Sequence, residues 1–449
     1  MLGPGCGLLL VAFSSTVVEG AIGVDGEVAA GRAPLDYDEP ATNALTFTLV
    51  PGIGARLRGT DSTLTLSYTP RIFYRLPNAL DVDRPLVLHQ VALDHVAEVG
   101  PRLGWASSAQ LSVGQIDYTA AGLVYDPSLS TGVRSSITDI LRAVGQTGFK
   151  YELSRHTRLN LDASAEYTHT LDAAPTIVPN PTAPVAGLDP ALQQAALPLV
   201  GVQPDSFQFS TTPTLSYAVG RNHRIGTSLD VTYQWFKQTA RYLLLAPDIS
   251  WDARVSARST LSLAAGVAYV STLEAALPQD DQNSWGGTGS VHFESLVYRG
   301  SGTSVTTAFN TSLEWFFDPI SGTSQPRAGI EASSVVEMGR DWLFSPEISF
   351  YTLLRQTILR YGMIVDGVPV IDPTQPEIAK PDATLLRIEL PLQYRITPDV
   401  SLAFGGRAAL RGPALAASDF GFDQVEVWAF LGLTVRMASG EKGSDWLAF

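Results

Sequence analysis

Charged side chains in this sequence stand at alternate positions between apolar ones, and that spacing limits the chemistry open to them. In the stretch Leu64 to Leu76, LTLSYTPRIFYRL, Arg71 and Arg75 alternate with Ile72, Tyr74 and Leu76. Arg56, Arg387, Arg407 and Arg436 sit in the same kind of pattern, and so do Glu152, Asp162, Glu166, Asp230, Asp248, Asp252, Glu294, Glu314 and Glu331. Guanidinium and carboxylate groups ranged along one face can filter solutes by charge or orient dipolar ones.

Covalent chemistry is poorly served. There is no Gly-x-Ser-x-Gly elbow, no His-Glu-x-x-His pair and no phosphate-binding loop. His169 lies beside Thr168 and Thr170 at a strand end, His292 alternates with Glu294, and His156 and His223 fall in short turns; each reads as structural or solvated. Asp280, Asp281 and Asn283 form an oxygen-rich cluster without the full twelve-residue calcium pattern, so it reads as a solvated turn. The one cysteine, Cys6, cannot build a metal site alone. No catalytic residue, metal or cofactor is expected.

The elements that must position the charges follow from the same alternation. Leu64, Leu66, Tyr68, Ile72, Tyr74 and Leu76 share one parity over thirteen residues, broken once at Pro70, with only Phe73 out of place. A period of two marks a strand whose faces meet different solvents. Strands of soluble sandwiches stop at about 5–6 residues, whereas a tilted strand crossing hydrocarbon needs about 9–11. The unit recurs: a weak first strand at Ala21 to Gly31, then Leu45 to Leu57, Leu64 to Leu76, Leu86 to Val99 and Arg102 to Gly114. Further pairs follow at Ile140 to Leu153 and Leu159 to His169, Phe207 to Val219 and Ile225 to Phe236, and Leu243 to Val255 and Leu261 to Val270. The series ends with Val291 to Tyr298 and Val305 to Phe317, Ala328 to Met338 and Trp342 to Thr352, Leu385 to Tyr394 and Val400 to Leu410, and Val425 to Met437. His89 and His95 share a face with Val87, Val91 and Leu93, which leaves the faces of that strand ambiguous.

Tight turns rich in Gly, Ser, Asp, Arg and Thr join the members of each pair, and longer loops join the pairs. Among the loops is Thr170 to Ser206, with a possible short helix at Ala191 to Ala196; it either caps the rim or folds inward. Charged residues are only 16% of the chain, and no apolar run after the N-terminus is long enough for a spanning helix. The net charge of −14 argues against nucleic acid as a partner. Leu8 to Val18 suits the apolar core of a leader removed near Gly20 or Ala21, although Met1 to Gly7 carries no basic residue. The expected organisation is a leader at 1–20, a barrel at 21–437, and a tail or strand end at 438–449.

With these residues in view, the mature chain resembles a bacterial outer-membrane β-barrel of the porin kind. The expected fold is all-β: a single transmembrane, antiparallel, up-and-down β-barrel of about 18 strands (16–18), with short periplasmic turns and long extracellular loops. Both termini would lie in the periplasm. Phe449 and Leu447 match the terminal pattern read by the barrel-assembly machinery in such proteins; Asp445, Gly443 and Glu441 do not. Implied partners are that machinery, outer-membrane lipid and lipopolysaccharide, and small-molecule solutes. The aromatics Tyr68, Tyr74, Trp105, Tyr151, Tyr167, Tyr217, Tyr233, Trp235, Trp251, Trp342 and Tyr394 would form girdles at the two interfaces.

Ring closure would set the arginines of the terminal strands opposite the acids of the middle ones, giving a transverse field. The alternative is pairing of neighbouring charges, which the mixed signs at Glu331, Glu347, Arg387 and Glu389 favour. The expected function is a passive outer-membrane channel for small polar solutes. The other readings are a non-conducting scaffold, adhesin or polysaccharide-export barrel, and a lipid-acting rim enzyme.

Overall fold

A computed structural model of the chain describes residues 17–33, 41–77, 84–117, 137–171, 205–237, 240–275, 283–317, 324–354, 358–359, 362–365, 368–371, 378–379, 383–415, 421–422 and 424–438. The strands are β1 Val17–Ala33, β2 Thr42–Arg58, β3 in two segments Ser62–Tyr68 and Arg71–Leu76, β4 Leu86–Val99, β5 Leu103–Asp117 and β6 Ile137–Glu152. Next come β7 Thr157–Thr170, β8 Ser206–Val219, β9 His223–Phe236, β10 Ala240–Ser256, β11 Ser259–Ala275 and β12 Ser284–Gly300. The last are β13 Thr303–Phe317, β14 Ser324–Met338, β15 in two segments Trp342–Phe344 and Glu347–Leu353, β16 Thr384–Thr397, β17 Val400–Gly412 and β18 Gln424–Ala438.

Each strand pairs antiparallel with its neighbours in sequence, and β18 returns to pair with β1 from Ala21↔Ala438 to Arg32↔Val427. The ring is therefore closed, with eighteen strands and no free edge. Two short ladders, Ile358–Leu359 with Ile378–Ala379 and Gly362–Val365 with Val368–Ile371, lie in the connection between β15 and β16.

The two interruptions both fall at prolines. Pro70 and Pro346 have no N–H to donate, so the ladder lapses beside each. The pairing before and after each break keeps one register: Ile53↔Tyr68 and Leu49↔Ile72 on β3, Met338↔Trp342 and Ser333↔Glu347 on β15. Parity thus survives, and every side chain stays on its own face.

That parity sorts the residues by solvent. Ile22, Leu49, Leu66, Leu93, Leu111, Ile249, Ile330, Ile348 and Leu431 are large, apolar and exposed, all on the outer face of the ring. A surface so apolar is unstable in water and matched to hydrocarbon, where only a closed barrel or a helix can satisfy its backbone. No helix of the described residues is long and apolar enough to cross a membrane.

Turns at one end are tight. Between β12 and β13 both central residues have positive φ, Ser301 at 49° and Gly302 at 80°. This is the primed hairpin turn whose twist matches that of paired strands. The N-terminal end of β1 and the C-terminal end of β18 lie at this same end of the barrel, because Val17 pairs with Arg58 beside the tight β2–β3 turn and Ala438 pairs with Ala21. The longer connections lie at the other end, hereafter the outer rim. β1 is described from Val17, upstream of the expected leader junction.

Candidate functional site

The inner wall is built by the residues whose parity opposes the apolar set. Register places all fourteen charged positions singled out in the sequence on this wall: Arg56, Arg71, Arg75, Arg387, Arg407, Arg436, Glu152, Asp162, Glu166, Asp230, Asp252, Glu294, Glu314 and Glu331. Asp248 joins them.

Many of these charges are held by near neighbours. Arg142 on β6 meets Glu166 on β7 at 2.8 Å, and Arg158 meets Glu152 at 3.3 Å across the same pair of strands. Arg327 holds Glu314 through Nε and Nη2 at 3.1 and 2.6 Å. Arg411 holds Glu426 at 2.7 Å, and Arg387 holds Glu389 of its own strand at 3.0 and 2.5 Å. Arg407 reaches across β18 to Glu27 of β1.

In a different sector, two aspartates are held by hydroxyls instead. Asp230 on β9 accepts a hydrogen bond from Thr232 Oγ1 at 3.0 Å, and Asp248 on β10 accepts one from Ser228 Oγ at 2.5 Å. Neither aspartate forms an ion pair among the described residues. Strands β9 and β10 lie half the ring away from β1 and β18, so these acids stand across the lumen from the wall that carries Arg71, Arg75 and Arg407.

The interior is not uniformly polar. Ala29, Ala33, Ala44, Trp428 and Phe430 form one buried inward cluster, and Arg407 lies over the Phe430 ring at 4.2 Å. Phe73, the residue out of place in the opening stretch, is likewise an inward residue and buried. A second inward cluster contains Phe236, Tyr242, Leu244, Ala246, Ala268, Val270 and Trp315. Trp315 departs from the parity of its strand. The β12–β13 ladder stops at Gly289↔Leu313, and beyond it the indole turns inward against Gly286. An ideal Cβ at Gly286 would lie 2.9 Å from Cζ2 of that ring, so only glycine leaves the space.

The aromatic residues expected at the interfaces face outward, and five of the six histidines lie beside outward rings. His89 stacks with Tyr68 and shares a hydrogen bond with its hydroxyl at 2.8 Å; His95 meets Trp105 edge-on at 4.8 Å. His156 lies by Tyr217, His169 by Tyr167 and His223 by Trp251. This settles the ambiguous strand: His89 and His95 share the outer face with Val91 and Leu93. His292 faces inward. His169 Nδ1 is engaged by Asp205 at 2.9 Å, while Thr168 and Thr170 point to the opposite face of β7. The expected helix at Ala191 to Ala196, Asp280, Asp281 and the terminal Phe449 lie outside the described residues. Among the described residues no group of three or more His, Cys, Asp or Glu side chains could hold a metal.

Two cavities lie along the inner wall. One, of about 450 Å³, is bounded by Glu166, Gln208, Asp230, Thr232, Asp248 and Trp315 together with their neighbours. The other, of about 370 Å³, is bounded by Asp94, Ser108, Gln146, Asp162, Ser164 and Ser210 among others.

Sequence alternation missed Asp25, Glu27 and Arg142. In β1 the inward set includes Gly23, Ala29 and Gly31, too small to contrast with the outward Gly26 and Ala30. In β6 the inward Ile140 breaks the contrast next to Arg142. Glycine spacing offered no signal for either.

A closed antiparallel ring, apolar outside and lined inside with charged and hydroxyl groups, defines a transmembrane β-barrel of the outer-membrane type. No protein-family model matches the chain, and no curated protein matches it. Among solved structures it is similar to the outer membrane protein OpdK of Pseudomonas aeruginosa, with 8% identity over 94% of this chain and 99% of that one, TM-score 0.41. It is similar to a BenF-like porin of Pseudomonas fluorescens Pf-5, with 7% identity over 94% and 99%, TM-score 0.43. The ferric enterobactin receptor PfeA of Pseudomonas aeruginosa aligns at 9% identity over 93% and 80%, TM-score 0.41.

Proposed function

We propose that the chain is a passive outer-membrane channel for small polar solutes, with selectivity set by its inward Arg, Asp and Glu side chains. The observation that carries this reading is the inner wall, where carboxylates, hydroxyls and amides line much of two cavities. Rings of eighteen strands leave room for an aqueous passage. The outer aromatic and histidine residues would sit at the lipid and lipopolysaccharide boundaries, and insertion would depend on the barrel-assembly machinery.

Within this reading, near-neighbour pairs neutralise much of the charge, while the wall of β9 and β10 carries Asp230 and Asp248 and the wall of β3 carries Arg71 and Arg75. Such an asymmetry orients dipolar solutes and biases the passage of ions. The test is conductance of the purified protein in planar bilayers. Stepwise ohmic currents support the channel; a sealed bilayer with correctly folded protein favours a non-conducting scaffold.

A further inference from the structure

The cavity of about 450 Å³ joins two kinds of surface that a plain water-filled passage has no use for together. Asp230 and Asp248 face it from β9 and β10, bonded only to Thr232 and Ser228 hydroxyls, so their negative charges are uncompensated by any ion pair among the described residues. The other carboxylates of the cavity, Glu166 and Glu314, are already neutralised by Arg142 and Arg327. Toward the outer rim the same cavity is walled by Phe236, Leu244, Ala246, Trp315, Phe316 and Phe317. Trp315 is 8% exposed and its Nε1 has no acceptor among the described residues, which is unusual for a buried indole.

We propose that this cavity is a binding subsite for organic monocations: an ammonium carried on an aromatic or branched apolar body. The proposal rests on the channel reading for how the ligand arrives, and names the class of solute the channel favours. The ammonium donates to the Asp230 and Asp248 carboxylates, and the apolar body covers the ring and aliphatic groups above them. A bare inorganic cation would satisfy the acids and leave that apolar wall wet. A carboxylate of the same shape would meet two negative charges at the same depth. Both are therefore disfavoured on chemistry alone, the first by the hydrophobic term and the second by like-charge repulsion.

The experiment uses the full-length protein, with phenethylammonium as probe and phenylacetate, ethylammonium and Ca²⁺ as comparators. Binding in detergent is followed by calorimetry, and block of ion current in planar bilayers is followed in parallel. Phenethylammonium is expected to bind and to block, while phenylacetate does neither and ethylammonium is weaker. Asp230→Asn with Asp248→Asn is expected to weaken phenethylammonium by about tenfold or more, and Phe316→Ala to weaken it while sparing ethylammonium. Equal affinity for phenethylammonium and phenylacetate, or binding of Ca²⁺ with no phenethylammonium binding, overturns the subsite. The unmodified protein gives these comparisons even if the double variant fails to fold. Current without block rejects the subsite and keeps the channel. Binding that is lost in the double variant without any current keeps the subsite and rejects the channel.

Discussion

Arg407 and Glu27 lie 380 positions apart, yet Nη1 and Nη2 of the arginine hold the two carboxylate oxygens at 2.8 and 2.5 Å. The pair bridges β17 and β1 over the intervening β18, so it clasps the two chain ends where the ring closes. Both side chains are about one-fifth exposed, and Glu389 lies 3.9 Å from Arg407 Nε as a second acceptor. Arg407 also covers Phe430.

The two halves of this clasp should not be equivalent. Glu27→Gln leaves Arg407 near Glu389 and over Phe430, whereas Arg407→Gln takes from Glu27 its bidentate partner, while Glu389 keeps Arg387. Charge-assisted hydrogen bonds contribute about 1.5–3 kcal/mol. Urea unfolding in lipid vesicles should therefore show Arg407→Gln destabilising by about 2 kcal/mol and Glu27→Gln by roughly half as much. Equal losses would mean that Glu389 gives the arginine no support.

Closure also depends on a missing side chain. Gly31 faces inward on β1, and a Cβ there would lie 2.0 Å from the Val427 carbonyl oxygen and 2.9 Å from Trp428 Cα. Both obstacles include backbone of the partner strand, which cannot swing aside as a side-chain tip can. Gly31→Ala should force β1 and β18 apart toward the outer rim, at about 1–3 kcal/mol. Faster amide exchange in both strands would report it. Gly145, with nothing near its Cβ position, serves as a control whose alanine variant should behave like the parent.

At the outer rim, Asp205 ties two hairpins together. Its burial works to raise the carboxyl's pKa, but Lys237 Nζ at 2.9 Å, the Thr170 N–H at 3.0 Å and His169 at 2.9 Å outweigh this and hold it below the ordinary carboxylate range. A carboxyl lowered by folding stabilises fully above its unfolded pKa, near 4, and loses that contribution as pH falls through the lowered value. The share owed to the Asp205 carboxylate should thus be complete above the ordinary carboxylate range and be lost only in stronger acid. Lys237 is raised by the same contact, so its share is lost only as pH climbs past its raised value at the alkaline extreme. Amide exchange of Thr170 is the readout. Asp205→Asn should show the acid-type exchange already at neutral pH; an unchanged rate there would mean that the carboxylate charge contributes nothing.

How much of this was legible in the sequence depends on contrast between faces. Leu103, Trp105, Leu111 and Val113 against Ser108, Gln110 and Ser112 gave both the strand and its orientation, because the outward and inward residues differ in kind. Contrast fails where both faces carry small residues, as along β1 with Gly23, Ala29 and Gly31 against Gly26 and Ala30, and where the interior is itself apolar. Phe73, Trp428 and Phe430 point into the lumen although their chemistry suits lipid. Trp315 could not be placed by parity at all, since its position follows from where a ladder ends. Ion pairs such as Arg407–Glu27 depend on which strands meet at closure, and no local pattern contains that.

The charge asymmetry proposed for the lumen makes a sign prediction for transport. Arg71 and Arg75 face Asp230 and Asp248 from the opposite wall. Arg71→Glu with Arg75→Glu should move the reversal potential in a salt gradient toward cations, and Arg71→Gln, a milder change, should move it the same way by less. An unmoved potential in both would mean that local pairing alone governs the charges. Arg75 is 4% exposed, so the single Arg71 variant guards against a folding failure of the double one.

The division of faces itself can be tested at two consecutive residues. Leu111 on β5 is 45% exposed and outward, near the middle of the strand, while Gln110 beside it faces the lumen. An arginine at position 111 would put its charge into hydrocarbon, for which barrel measurements near the midplane give about 2–4 kcal/mol. The same arginine at position 110 would enter a hydrated interior near Gln146 and Ser108, where a charge is solvated and the effect on stability is small, within about 0.5 kcal/mol. Comparing Leu111→Arg with Gln110→Arg by urea unfolding into vesicles removes any general effect of the substitution. A loss confined to position 111 requires lipid on that side and water on the other, whereas equal losses would mean that both sides are packed against protein.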